Sequence, residues 1–309
     1  ATADRSPDPL CRALLEKLAV AEGVPAEWLL CGNGAADLIF RLALAAKPRT
    51  ALVTAPTFAE YATALETAGC TVERHFLREE NDFAVTKDLL NAVHPGTNMV
   101  FLCQPNNPTG QLTALPLVEQ ILHRCAACGT LLVVDECFLD FLPDHALHTA
   151  KGLLGEGDLV ILKAFTKLYG MAGVRLGYCL CSDTELLARM RAAGQPWAVS
   201  SLAQAAGIAA LDETEYVAKV RALIEAQRPV LADGLRALGL RVIEGRVNYL
   251  LFRAPEALGE ALRRKGAVLR SCGNYPGLDA SWYRTAVRTE NENRQLLALL
   301  AETLPEVAQ

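Results

Sequence analysis

Leu159-Val160-Ile161-Leu162 is an unbroken apolar run that predicts a buried strand, and it leads straight into Lys163-Ala164-Phe165-Thr166-Lys167. A strand covered on both faces lacks the polar alternation of a half-exposed one. Three upstream runs read the same way: Ala51-Leu52-Val53, Met99-Val100-Phe101-Leu102 and Leu131-Leu132-Val133-Val134. Stretches of helical period lie between several of them, such as Leu117 to Cys125, inside a helix expected from about Thr113 to Ala127. Buried strands alternating with helices from Thr50 to Tyr178 predict an α/β fold with a mostly parallel sheet. In such sheets ligands collect at the carboxyl ends of the strands.

Chemically capable residues stand at those ends. Phe58 follows the first run in Ala55-Pro56-Thr57-Phe58, and Asn106-Asn107-Pro108-Thr109-Gly110 follows the second. Asp135 closes the Leu131 run. Thr166 and Lys167 follow the Leu159 run, and Arg175 stands in Gly173-Val174-Arg175-Leu176-Gly177-Tyr178. Upstream, Gly32-Asn33-Gly34-Ala35-Ala36-Asp37 opens an apolar helical run from Leu38 to Ala46. Glycines at a helix start let backbone N–H groups approach an anion, and the helix dipole favours a phosphate there.

Each piece has a bland reading: Asp135 as a strand-end cap, Lys167 as a solvated lysine, Phe58 as a core aromatic, the glycines as a turn. Together they are the parts needed to hold pyridoxal phosphate (PLP). The Lys167 amine would form the Schiff base, and Asp135 would pair with the pyridine nitrogen and keep the ring an electron sink. Thr166, Arg175 and the glycine-led helix start would take the phosphate, with Phe58 free to stack on the ring. A desolvated amine beside a cationic ring would have a lowered pKa, which favours imine exchange.

Composition narrows the rest. The chain has 309 residues, half of them apolar, 21% charged, and a net charge of −5, which gives no electrostatic case for nucleic acid. No apolar run approaches the roughly 18 residues of a membrane helix, and the polar N-terminus has no signal-peptide core. It also has no initiator Met. A cytoplasmic protein is expected, with its ten scattered cysteines as free thiols. Cys125-Ala126-Ala127-Cys128 is a lone CxxC without a second pair at zinc spacing, so no metal is expected. His145 and His148 read as solvent-facing.

The texture changes after about Glu213. Glu215 to Leu238 reads as one long amphipathic helix that Pro229 should kink or split. Short strands are expected at Tyr249-Leu250-Leu251-Phe252, Ala267-Val268-Leu269-Arg270 and Trp282 to Val287, with helices at Pro255 to Arg264 and Glu290 to Leu304. The division is therefore a large domain over 1–213, then a linking helix and small α+β domain over 214–309.

These motifs, in this order and over essentially the whole chain, resemble the fold-type I PLP enzymes of the aminotransferase class that contains histidinol-phosphate aminotransferases. The resemblance implies that Lys167 is the Schiff-base lysine, Asp135 the pyridine-nitrogen partner, and Asn107 the neighbour of the ring's 3-oxygen. It makes Ala35, Ala36, Thr166 and Arg175, beside Gly34, the phosphate cup, Phe58 the stacking aromatic, and Arg284 the binder of the substrate's anion. A homodimer acting on a small phosphorylated amino acid is implied as well.

Two longer segments are similar to the threonine-phosphate decarboxylase branch of that group. One is Leu269-Arg270-Ser271-Cys272-Gly273-Asn274-Tyr275-Pro276-Gly277-Leu278-Asp279 with Trp282-Tyr283-Arg284; the other is Gln195-Pro196-Trp197-Ala198-Val199-Ser200. That branch makes (R)-1-aminopropan-2-ol O-phosphate for the nucleotide loop of cobalamin. A substrate with a carboxylate and a phosphate needs two cationic subsites, for which Arg270 and Arg284 are the candidates in either assignment. Arg288 lies four residues beyond Arg284, about 13 Å along a strand, and reads as a surface charge.

Two departures from the family pattern stand out. Phe138 occupies the position where aminotransferases usually place a Tyr that bonds the 3-oxygen. The resemblance also implies that the first few dozen residues of the family pattern, with the arm that closes over substrate and the Tyr that reaches across to the partner's phosphate, precede the first residue of this sequence. The alternatives are a histidinol-phosphate aminotransferase and, as a non-enzyme, a PLP-binding regulatory domain. The latter is normally joined to a DNA-binding module that neither the charge nor the first 30 residues supplies.

Overall fold

The apolar runs form the middle of a seven-stranded sheet in a computed structural model that describes residues 3–307. Residues 1, 2, 308 and 309, which the expected domain ranges include, lie outside the described residues. The strands are β1 (Leu29–Gly32), β2 (Thr50–Ala55), β3 (Thr71–Phe76), β4 (Met99–Cys103), β5 (Leu131–Asp135), β6 (Leu159–Ala164) and β7 (Gly177–Leu180). Their spatial order is β1-β7-β6-β5-β4-β2-β3. All neighbours from β3 through to β6 pair in parallel, whereas β7 runs antiparallel to both β6 and β1.

Helices cover both faces: α1 (Arg12–Glu22), α2 (Ala35–Ala46), α3 (Glu60–Thr67), α4 (Leu89–Ala92), α5 (Leu115–Cys128), α6 (Thr184–Ala192) and α7 (Ser201–Ala210). Strand alternation divides the core into two layers. Val100, Leu102, Leu132, Val134 and Ile161 pack with Leu14 and Leu18 of α1 and Val118 and Ile121 of α5. Phe101, Val133, Val160 and Leu162 pack with Leu38 and Leu42 of α2, Tyr61 and Leu65 of α3, and Met190 of α6. Each such buried aliphatic side chain stabilises the fold by about 1.5–3 kcal/mol.

A second unit begins with α8 (Thr214–Ala237), a 24-residue helix that passes through Pro229 without a break. A proline in a helix interior removes one N–H donor and crowds the carbonyl four residues back. Here Pro229 and Glu225 are both exposed, so the interruption falls on the outer face of the helix. Ile224 before the proline and Leu231 and Leu235 after it anchor the helix by burial.

Beyond α8 come β8 (Arg241–Ile243), β9 (Tyr249–Arg253), α9 (Leu258–Arg264), β10 (Arg270–Ser271), β11 (Trp282–Ala286) and α10 (Glu290–Val307). The strands form a smaller antiparallel sheet in the order β10-β11-β9-β8. The expected strand at Ala267 to Arg270 is thereby corrected. Val268 is exposed, and pairing starts only at Arg270, where β11 offers Arg284 as its partner. The fold is that of the fold-type I enzymes: a helix-clad, mostly parallel sheet with a smaller antiparallel-sheet domain.

The two units meet at close range. Gly110 and Gly245 touch backbone to backbone, and a Cβ added at Gly110 would lie 2.9 Å from the Gly245 Cα. Arg246 N–H donates to the Gly110 carbonyl at 3.0 Å. All ten cysteines are free thiols, and eight are buried. His145 and His148 do not simply face solvent, as the sequence suggested. Both are half-buried, His148 Nε2 lying 3.0 Å from Asp144 Oδ2 and His145 Nδ1 3.1 Å from the Leu142 carbonyl.

Candidate active site

The parallel strands deliver their carboxyl ends to one edge of the sheet, and a cleft there is lined by Ala35, Ala36, Phe58, Cys103, Asn107, Asp135, Cys137, Phe138, Ala164, Thr166, Lys167 and Arg175. Every cofactor-binding residue expected from the sequence except Gly34 lines this cleft, and Gly34 is the N-cap of the helix whose first residues do. Arg175 reaches the same edge because β7 is antiparallel, so that the turn before its first residue sits level with the ends of β5 and β6.

Two glycines make the anion corner possible. Gly34 has φ +85°, and a Cβ there would lie 2.6 Å from Arg175 Nη2, so the guanidinium rests against bare backbone. A Cβ on Gly177 would lie 2.6 Å from the Ala35 nitrogen, so this glycine lets the start of α2 press against the sheet. No side chain caps α2, and its first-turn N–H groups lack intrahelical partners. Uncapped amides, a guanidinium and the Thr166 hydroxyl in one corner suit a phosphate group.

Asp135 is buried and makes no ion pair among the described residues. Its Oδ2 accepts from the Tyr61 hydroxyl at 2.5 Å and its Oδ1 from the Cys137 N–H at 3.0 Å. A buried carboxylate with hydrogen bonds but no cation fits a protonated ring nitrogen as its missing partner. Tyr61 was not singled out in the sequence. It lies in the first turn of α3 with the spacing of a core residue, and only the fold shows its hydroxyl meeting Asp135. Its ring stacks on Phe101 (4.7 Å between centroids) and meets Phe58 edge-on at 5.5 Å, so one side chain braces both Asp135 and the stacking candidate.

Lys167 reaches the open mouth of the cleft, with Nζ 5.2 Å from the centre of the Phe138 ring. Desolvation lowers its pKa below the usual lysine value. Arg284 and Arg175 push the same way, while Cys137 and Asp135 oppose them. Lys163, four residues earlier, faces the other side of the sheet. Its Nζ is 2.9 Å from Asp140 Oδ1 and 3.5 Å from Glu22 Oε1. Burial acts to lower its pKa, but these carboxylates and Glu136 outweigh it and push it up, which keeps the amine protonated and unreactive. Cys103, on the cleft floor, is pushed up to about 12 by burial and the Asp135 charge.

Asn107 accepts a hydrogen bond on Oδ1 from Arg284 Nη1 and its backbone N–H donates to Cys103 Sγ at 3.4 Å, while its side-chain Nδ2 donates to no protein atom among the described residues. Arg284 lies directly opposite Arg270 in the β10–β11 ladder. Neither makes an ion pair among the described residues; Arg284 lies 4.9 Å from the Tyr249 ring centre and Arg270 5.8 Å from that of Tyr275. Arg288 is exposed and pairs with Glu292 at 2.9 Å, away from this arrangement.

Comparison with known proteins bears on the same residues. The family model for aminotransferase class I and II matches residues 10–300. The chain belongs to that family. It is 38% identical to the threonine-phosphate decarboxylase of Salmonella typhimurium, over 99% of this chain and 85% of that protein. It is 36% identical to the histidinol-phosphate aminotransferase of Symbiobacterium thermophilum, over 97% and 82%. Among solved structures, the histidinol-phosphate aminotransferase of Clostridium acetobutylicum superposes with a TM-score of 0.92 at 26% identity, covering 98% of this chain and 92% of that one. The protein is a PLP-dependent enzyme of this family, and the donor set in the cleft fits that cofactor.

Proposed function

We propose that the enzyme decarboxylates L-threonine O-3-phosphate to (R)-1-aminopropan-2-ol O-2-phosphate, taking up one proton and releasing one carbon dioxide. The observation that carries the reading is the Arg270–Arg284 pair. Two guanidiniums opposite each other on one ladder, without carboxylate partners among the described residues, suit a substrate with two anionic groups. The similarity to the Salmonella typhimurium decarboxylase supports the reaction type.

PLP supplies an electron sink for the pair released from a bond at Cα. The chain's own residues do the rest in this reading. Asp135, held at both oxygens, keeps the ring nitrogen protonated. The corner formed by α2, Thr166 and Arg175 holds the phosphate, and Phe58 fixes the ring plane. The arginine pair would bind and orient the two anionic groups of the substrate. Lys167 Nζ, its pKa lowered, returns a proton to Cα. Phe138 offers no hydroxyl to the 3-oxygen, which leaves Asn107 as the side-chain donor there.

The similarity to histidinol-phosphate aminotransferases supports a second reading, amino transfer from histidinol phosphate. One experiment separates the two. The PLP-loaded protein is given threonine phosphate alone, then histidinol phosphate with 2-oxoglutarate. Carbon dioxide release without keto-acid formation is expected in the first mixture. Rapid amino transfer in the second, with no carbon dioxide in the first, overturns the decarboxylase reading. The same reading includes a homodimer, testable by sedimentation, and a domain boundary near Glu213, testable by limited proteolysis.

A further inference from the structure

Tyr249 is 4% exposed and stands on β9 opposite Ala286, while Arg284 stands opposite Leu251. Tyr249 and Arg284 are thus diagonal neighbours on one face of the small sheet, a spacing of about 7–8 Å that an aromatic ring can bridge. The guanidinium carbon of Arg284 lies 4.9 Å from the Tyr249 ring centre. The Tyr249 hydroxyl donates to the Asn106 carbonyl at 2.9 Å, and Arg284 donates to the side chain of the next residue, Asn107. Tyr249, Arg284, Asn107 and Asn106 therefore close a loop of contacts that joins the small sheet to the turn after β4. Phe138 meets the Tyr249 ring edge-on at 5.1 Å and 86°, which fixes the ring within the site.

We infer that Tyr249 is a positioning residue for substrate: its ring holds the Arg284 guanidinium, and its hydroxyl holds the turn that carries Asn107. The inference rests on the reading of Arg284 as an anion binder. A long side chain held in place before substrate arrives loses less freedom on binding, and a cation over an aromatic face stays charged and available to an anion. A tyrosine that merely filled the core would pack and hydrogen-bond without affecting anion affinity through Arg284.

The test uses the PLP-loaded enzyme and O-phospho-L-threonine, with the dissociation constant read from the cofactor's absorbance and KM and kcat measured separately. Tyr249→Phe keeps the ring and should weaken binding by about threefold to tenfold through the lost hydrogen bond. Tyr249→Leu removes the ring as well and should weaken it further, with KM rising more than kcat falls. In an Arg284→Gln background, Tyr249→Leu should add less than about twofold beyond Tyr249→Phe, because the ring's partner is gone while the hydroxyl's is not. Independent, multiplying penalties, or unchanged affinity in both Tyr249 variants, would overturn the inference while leaving Arg284 in its role. Unchanged affinity in Arg284→Gln alone would instead sink the substrate reading, and the inference with it. If Tyr249→Leu fails to fold, Tyr249→Met, which keeps bulk without an aromatic face, gives the same comparison.

Discussion

Lys163 and Lys167 differ in what surrounds each amine. Asp140, Glu22 and Glu136 keep the Lys163 amine charged on the far side of the sheet, while Lys167, at the mouth of the cleft, has its pKa lowered. Borohydride reduction of the PLP-loaded enzyme should therefore label Lys167, and Lys167→Ala should abolish covalent attachment while the phosphate corner retains part of the affinity. A reduced peptide carrying the label at Lys163 would contradict this. Asp135→Asn should cut turnover by about 10² or more with the fold kept, since a neutral amide cannot hold the ring nitrogen protonated. Tyr61→Phe removes the 2.5 Å bond to Asp135 and keeps the ring packing. PLP affinity should fall by about threefold to tenfold, measured by dialysis, with a nearly unchanged melting temperature. Unaltered PLP affinity would reduce Tyr61 to core filling. Of these residues Asp135 was legible because it ends an apolar run and Lys167 because it follows one beside Thr166; Tyr61 was hidden because a core-facing position in a helix gives its hydroxyl no sequence signature.

Helix α2 and strand β7 form the cofactor corner by approaching more closely than side chains allow. Gly177→Ala would place a methyl 2.6 Å from the Ala35 nitrogen, where only backbone can give way. Stability should fall by about 1–3 kcal/mol, and PLP should bind at least about tenfold more weakly as α2 is pushed outward. Wild-type affinity in that variant would mean that α2 does not hold the phosphate. Elements buried on both faces were readable: β2, β4, β5 and β6 all contain their apolar runs. Strand β3 was not, because at the sheet edge Thr71, Glu73, Arg74 and His75 leave no such run. Strands β1, β7 and β8 have three or four residues each, too few for periodicity to speak. The continuity of α8 through Pro229 depends on burial either side of the proline, which local sequence does not reveal.

For the molecule as a whole, one buried carboxyl makes stability depend on pH. Asp135 lines the cleft, whereas Glu136, just past β5, faces the opposite layer and accepts from Ala150 N–H at 2.7 Å and the Thr149 hydroxyl at 2.8 Å. Burial raises the Glu136 pKa to about 7, against the opposing pull of Lys163. The folded state then holds a proton that the unfolded chain has released, so this group's contribution is full below about pH 4.5 and is lost as pH rises to about 7. The change is on the order of 3 kcal/mol. Glu136→Gln should remove that decline, seen as a flatter difference in urea midpoint between pH 5 and 8; parallel pH profiles would refute it. No described helix is long and apolar enough to cross a membrane. The Arg270–Arg284 pairing has a consequence for the medium the protein lives in. Like charges directly opposite in a ladder repel, and no carboxylate among the described residues relieves this pair. A small oxyanion beside the two relaxes that repulsion, so ambient phosphate and sulfate should both raise the melting temperature and compete with substrate, making the anion composition of the surroundings a determinant of how much enzyme is open for turnover.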